Sequence, residues 1–140
     1  MTSRRIMDNK LKHLEFIQGV INRLSTNSFL LKGWSVVLVS ALFALSAKDS
    51  DLGFVLLAYI PAIIFWGLDG YFLWQERLYR ALYDRVRTQD AETIDFSMST
   101  ANLAGNDGTG WIAATLSKTL IPFHGVLLLA VVVVMLLEAG

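Results

Sequence analysis

The sequence predicts an all-α integral membrane protein with three transmembrane helices, and three observations carry that prediction. Apolar residues gather into three long blocks instead of recurring at the period of a soluble strand or helix. Hydrophobic residues make up 54% of the chain and charged residues 17%, with a mean hydropathy of +0.50. The lysines and arginines sit almost entirely to one side of the blocks. Lipid is therefore part of the solvent for this chain of 140 residues, which has room for one domain.

The first block, FLLKGWSVVLVSALFALSA, covers residues 29–47, and the second, LGFVLLAYIPAIIFWGLDGYFLW, covers 52–74. The third runs from about Leu116 to Leu137, within a closing segment of 116–140, and ends in VLLLAVVVVMLL. Each is close to the roughly 20 residues a helix needs to cross about 30 Å of hydrocarbon. Unbroken apolar runs satisfy their backbone groups there as helices rather than barrel strands. The link from Lys48 to Asp51 is so short that the first two spans must form an antiparallel hairpin.

Charge then sets the direction. Arg4, Arg5, Lys10, Lys12 and Arg23 precede the first span, Lys32 opens it, and Arg77, Arg80, Arg85, Arg87 and Lys118 lie between the second and third. Only Lys48 falls on the opposite side, beside Asp49 and Asp51. The positive-inside bias places the amino terminus and middle segment in the cytoplasm and the carboxyl terminus outside. Trp34, Trp74 and Trp111 fall near the cytoplasmic interface, to which Lys32 and Lys118 can snorkel. ALSA followed by KDS loosely resembles a signal-peptide cleavage site, but the preceding stretch is too long and amphipathic for one.

Residues 1–28 read as a cytoplasmic segment with an amphipathic helix from Asp8, its N-cap candidate, to Thr26. Leu11, Leu14, Ile17, Ile21 and Leu24 recur at three- and four-residue steps. Ser25, Thr26, Asn27 and Ser28 read as a polar break before the first span. The stripe suits a helix lying on the membrane surface, or one packed against a neighbouring subunit or the middle segment.

The middle segment, 75–115, opens with QERLYRALYDRVR, a helical extension of the second span in which Glu76 and Arg80 form an i, i+4 pair. Arg77, Arg80, Asp84 and Arg87 share one face, and Leu78, Leu82 and Tyr79 or Val86 share another. An arginine row suits phosphate, because guanidinium forks bind oxygens bidentately, and Tyr79 and Tyr83 can supply stacking planes for bases. Ordinary solvation of a cytoplasmic helix explains the same row. From Thr88 the chain turns polar and small, with an acidic patch of Asp90, Glu92 and Asp95. Turn residues follow at Asn106, Asp107, Gly108 and Gly110. This stretch is a gating-loop candidate or a connector returning to the third span.

Asp69 is the one acidic side chain inside a predicted span, on its cytoplasmic third. Such a group faces a bundle interior, a partner or water, so Asp69 is a pore or ion-pathway candidate; pairing with Lys32 or Arg77 is the simpler alternative. Ser40, Ala44 and Ala47 form a small-residue stripe on the first span, and Ala58 and Ala62 one on the second. Small stripes favour close helix packing, and Ser40 can alternatively face a pore. Pro61 removes a backbone donor in mid-span. His124 has no second ligand nearby, so no metal site is expected.

The chain has no cysteine, which excludes disulfides, thiolate metal sites and thiol nucleophiles. Phosphate-loop, dinucleotide, zinc-protease and nucleophile-elbow motifs are missing, so neither catalysis nor a cofactor is expected.

The runs DNKLKHLEFIQGVINRLSTNSFLLKGWSVVLVSALFAL, FWGLDGYFLWQERLYRALYDRVR, IDFSMST and SKTLIPFHGVLLL cover nearly the whole chain. In them the sequence resembles a family of small bacterial three-span proteins. Some of that family resemble the membrane effector of Hailong-type antiphage defence systems, encoded beside a nucleotidyltransferase that makes a DNA oligonucleotide signal. The resemblance implies a homo-oligomeric inner-membrane ion channel whose cytoplasmic portion binds the signal and is held closed by it. The resemblance assigns no individual ligand residues; from the residues themselves, Arg77, Arg80, Arg87 and Tyr83 are the candidate ligand residues, and Asp69 and Ser40 the candidate pore residues. A DNA oligomer and a cyclic nucleotide suit those side chains equally. Two other readings stand beside it. One is a non-conducting anchor or accessory subunit that recruits a soluble partner. The other, a proton-coupled transporter using Asp69, lacks the usual paired repeats and a second intramembrane carboxylate.

Overall fold

The computed structural model describes residues 2–104 and 110–140, and within them the only regular structure is helical. Four α-helices occur among these residues: α1 (Thr2–Asp49), α2 (Leu52–Thr88), α3 (Trp111–Thr115) and α4 (Ile121–Ala139). A 3-10 turn, Ala91–Thr93, follows α2. α1, α2 and α4 are each long and apolar enough to cross a bilayer. Asn106, Asp107 and Gly108, read above as turn residues, lie outside the described residues.

The amphipathic segment and the first span are one helix of 48 residues, which corrects the expected break at Ser25–Ser28. The polar side chains there find partners without leaving the helix. Thr26 Oγ1 donates back to the carbonyl of Asn22 at 2.9 Å, and Ser28 donates to Asp69. Side chains that bond back along their own helix, or across to a neighbour, do not compete with its backbone. Asp8 consequently lies within α1 rather than capping it.

The hairpin turns through Ser50, in the left-handed region at φ 52°, and Asp51, whose carboxylate caps α2 by accepting from the Gly53 amide at 2.8 Å. α2 then runs for 37 residues, passing Pro61 and continuing beyond the second block to Thr88, as the sequence predicts. Pro61 offers no donor to the carbonyl of Leu57, so the helix carries one missing rung there.

Two apolar clusters join α1 to α2. In the spans, Val39 packs with Val55, Ala58, Ala62 and Val131, the last from α4. The predicted stripe of Ala58 and Ala62 is thus an interface, whereas Ser40, Ala44 and Ala47 are exposed. The buried face of α1 runs through Ser35, Val39 and Ser46, a register that turns the other small residues outward. At the end carrying the amino terminus and the arginines, here called the basic end, Ile17 and Ile21 meet Leu82, Val86 and Ile94. The centre of the amphipathic stripe, Leu14, Ile17 and Ile21, therefore packs on the middle segment, while Leu11 is exposed. Fully burying such side chains is worth about 1.5–3 kcal/mol each.

Residues 94–104 form a strap across this basic end, with Ile94 buried and Met98 and Leu103 packed on the same cluster. Successive turns stiffen it: Asp95 Oδ1 accepts from the Ser97 amide at 3.1 Å, and Ser97 Oγ from the Ser99 amide at 3.2 Å. Lys10 on α1 caps the far end of α2, donating to the carbonyls of Arg87 at 3.0 Å and Gln89 at 2.6 Å.

The third span begins at Ile121, five residues later than its apolar block, because Pro122 is accommodated only in the first turn of a helix. Ahead of it α3 lies against α2, where Trp111 Nε1 donates to the carbonyl of Gly67 at 2.9 Å. At the opposite end from the arginines, Ser46 donates to Glu138, tying α1 to α4.

Candidate functional site

Between the two apolar clusters the three long helices meet at Asp69. Counting 17 residues from Leu52, it lies about 26 Å along α2, close to the basic end of the span. Its side chain is fully buried. Oδ1 accepts a hydrogen bond from Ser28 Oγ, and Oδ2 lies 2.5 Å from Lys32 Nζ and 2.7 Å from His124 Nε2. Ser28 and Lys32 are one turn apart on α1 and bond each other at 3.0 Å. Helical spacing thus presents both donors to one carboxylate.

α4 supplies the third donor. The His124 ring is buried, lies parallel to the Trp66 indole with centroids 5.9 Å apart, and meets the Phe123 ring edge-on. Trp66 is itself anchored, donating from Nε1 to the Thr115 carbonyl at 2.8 Å. With Nε2 facing a carboxylate, His124 donates from that nitrogen. Its Nδ1 is buried and has no hydrogen-bond partner among the described residues. The Lys32 ammonium also lies 6.0 Å from the centre of the Phe123 ring, within cation–π range.

Charge placed at this depth in an apolar helix bundle is expensive unless paired, and such groups mark functional sites more often than packing sites. Here one carboxylate holds donors from both other long helices. The arrangement ties α1, α2 and α4 together at one point. The sequence pointed to Asp69 as a pathway residue and to Lys32 as its simpler partner. The structure pairs them inside the chain, so Asp69 reaches an outer surface only if the helices move. Ser40 is exposed on the outer side of α1, away from the cluster.

The arginine row is present on α2, but its charges are partly engaged. Arg80 forks onto Glu76 with Nε at 3.0 Å and Nη2 at 2.7 Å from Oε1. Arg87 Nη2 lies 3.4 Å from Asp84, and Arg77 is half-buried. Tyr83 is half-buried against the Ile17 and Leu82 cluster, where its ring serves packing. The structure therefore brings Asp69, Lys32, Ser28 and His124 together and leaves Ser40 and the arginine row apart from them. Ser28 was missed as a site residue; its position one turn before Lys32 in an apolar-facing helix was the available signal. No protein-family model, curated protein or solved structure matches this chain.

Proposed function

We propose that the chain is the subunit of a homo-oligomeric ion channel of the bacterial inner membrane, amino terminus in the cytoplasm and carboxyl terminus in the periplasm. It acts as an effector of antiphage defence, and a nucleotide or short single-stranded DNA signal, made by a partner nucleotidyltransferase, holds it closed from the cytoplasmic side. The observation that carries this reading is the ionic cluster at Asp69, set where two unbroken helices pass from the basic end into the spans. Because α1 and α2 pack together in both halves, a ligand that shifts their basic ends acts on the cluster through stiff helices. Three helices are too few to enclose a pore, so the pathway runs between copies, and the outward Ser40, Ala44 and Ala47 stripe suits their approach.

The test is the membrane potential of cells expressing the chain alone, compared with Asp69→Ala and Arg80→Ala variants. Depolarisation by the wild type, altered in extent by Asp69→Ala, is expected. An intact potential with the protein inserted, in cells lacking the nucleotidyltransferase, overturns the channel. Co-purification of a soluble partner would then favour the non-conducting anchor.

A further inference from the structure

α1 carries a second face beside its apolar stripe. Asn9, Lys12, His13, Phe16 and Arg23 recur at helical steps, and together with Phe96 of the strap they line an open groove of about 550 Å³. Three features of this groove are unlike a solvated helix surface. His13 is 95% buried (5% exposed), and its Nε2 has no hydrogen-bond partner among the described residues. A buried polar atom left unmatched is costly and rare. Two phenylalanine rings, Phe16 and Phe96, are 60% and 44% exposed at the same place. Phe96 is held at φ 56°, a left-handed conformation unfavourable for a residue with a side chain, and its ring meets the His13 ring edge-on at 5.5 Å.

Electrostatics narrows the occupant. Lys12 shares its charge with Glu15 at 2.7 Å while lying 5.6 Å from the centre of the Phe16 ring. Arg23 is exposed and makes no ion pair among the described residues. Aromatic faces, an imidazole ring and a guanidinium along one groove match a planar ring with an attached anion. A lipid headgroup is disfavoured by distance, since Phe16 precedes Phe29 by 13 residues, about 20 Å along the helix.

We infer that this groove is a binding site for a nucleotide unit, with the base against the rings of Phe16, Phe96 and His13, and the phosphate on Arg23. The site rests on the functional reading above for the ligand's role, but not for its binding. It lies between α1 and the strap that follows α2, so an occupant joins α1 to the strap at the basic end. The ligand chemistry is shared by a free mononucleotide and by one residue of a short oligonucleotide.

Binding to the full chain in lipid nanodiscs, measured calorimetrically, tests the site. The probes are 5′-AMP, 5′-UMP, a mixed-sequence single-stranded tetranucleotide and inorganic phosphate. We expect a mononucleotide or the tetranucleotide to bind at least tenfold more tightly than phosphate. Arg23→Gln and Phe96→Gly, the latter retaining the left-handed backbone, should each weaken it by about tenfold or more. The unliganded melting temperature of Arg23→Gln should not change, because Arg23 is exposed. Tetranucleotide binding at least tenfold tighter than either mononucleotide assigns an oligonucleotide, and comparable affinities assign the free nucleotide. Binding of phosphate as tight as any nucleotide, no binding, or equal affinity in both variants overturns the site. A chain that depolarises cells yet binds no nucleotide refutes this site and the nucleotide control while the channel stands, and one that binds but never conducts refutes the channel alone.

Discussion

Asp69 and Lys32 are expected to be far more costly to remove singly than together. The carboxylate is fully buried, and the ammonium 2.5 Å away belongs to a side chain only 23% exposed. Asp69→Leu strips the acceptor from Lys32, Ser28 and His124 at once and leaves a charge without a counter-ion. Breaking a buried pair from one side costs about 3–5 kcal/mol. Lys32→Met leaves the carboxylate with two of its three donors, so a smaller loss of about 2–3 kcal/mol follows. The double variant contains no orphaned charge. Apolar replacement of a buried pair is often neutral, and the remaining cost, from Ser28 and His124 losing their acceptor, is under about 2 kcal/mol. The cycle should therefore show a coupling of at least about 3 kcal/mol. Equilibrium unfolding in mixed micelles of increasing dodecyl sulfate content measures it, with tryptophan emission as the signal because Trp66 stacks on His124. Neutral interhelical hydrogen bonds in membrane proteins contribute only about 0.6 kcal/mol. A coupling near that value, with the single losses adding up in the double variant, would refute the ionic lock.

Two further substitutions probe the packing around it. A Cβ at Gly70 would sit 2.0 Å from Thr115 Oγ1 and 3.0 Å from the Thr115 Cα, so rotating the threonine does not make room. Gly70→Ala should destabilise by about 1–3 kcal/mol in the same unfolding assay, whereas Gly67→Ala, whose Cβ meets only the Trp111 ring at 3.8 Å, should change little. Lys10→Met removes the donor that closes the end of α2 and should cost about 1 kcal/mol locally. Amide exchange just before Gln89 should rise roughly fivefold, and unchanged exchange would show that the cap contributes nothing.

Much of this architecture is legible in the sequence because lipid imposes simple requirements on it. Three apolar blocks, a link too short for anything but a hairpin, and a run from Gln75 to Arg87 without a breaker yielded the long helices directly. Ser25–Ser28 misled because polar residues signal a break only where their side chains compete with the backbone; here Thr26 and Ser28 find acceptors elsewhere. The start of α4 was misjudged because the apolar block extends past the residue that limits the helix, Pro122. Asp69, Lys32 and His124 each stood out alone. Their convergence was not legible, since it depends on the rotation of three helices about their own axes. That rotation is set by packing such as Val39 on Val55 and Gly70 under Thr115. The same ambiguity hid the packing of Tyr83 against the Ile17 and Leu82 cluster.

The unbroken course of α1 and α2 also limits how this chain can evolve in length. Each residue of a helix turns the next by 100°, so one residue inserted near Thr26 would swing everything before it to another side. Ile17 and Ile21 would then leave Leu82 and Val86. Deletions in α2 between Asp69 and Leu78 carry the same penalty. Tolerated changes should come as compensating steps of whole turns in both helices, or be confined to the strap. Its turns are closed by their own side chains and carry no register from one end of the molecule to the other.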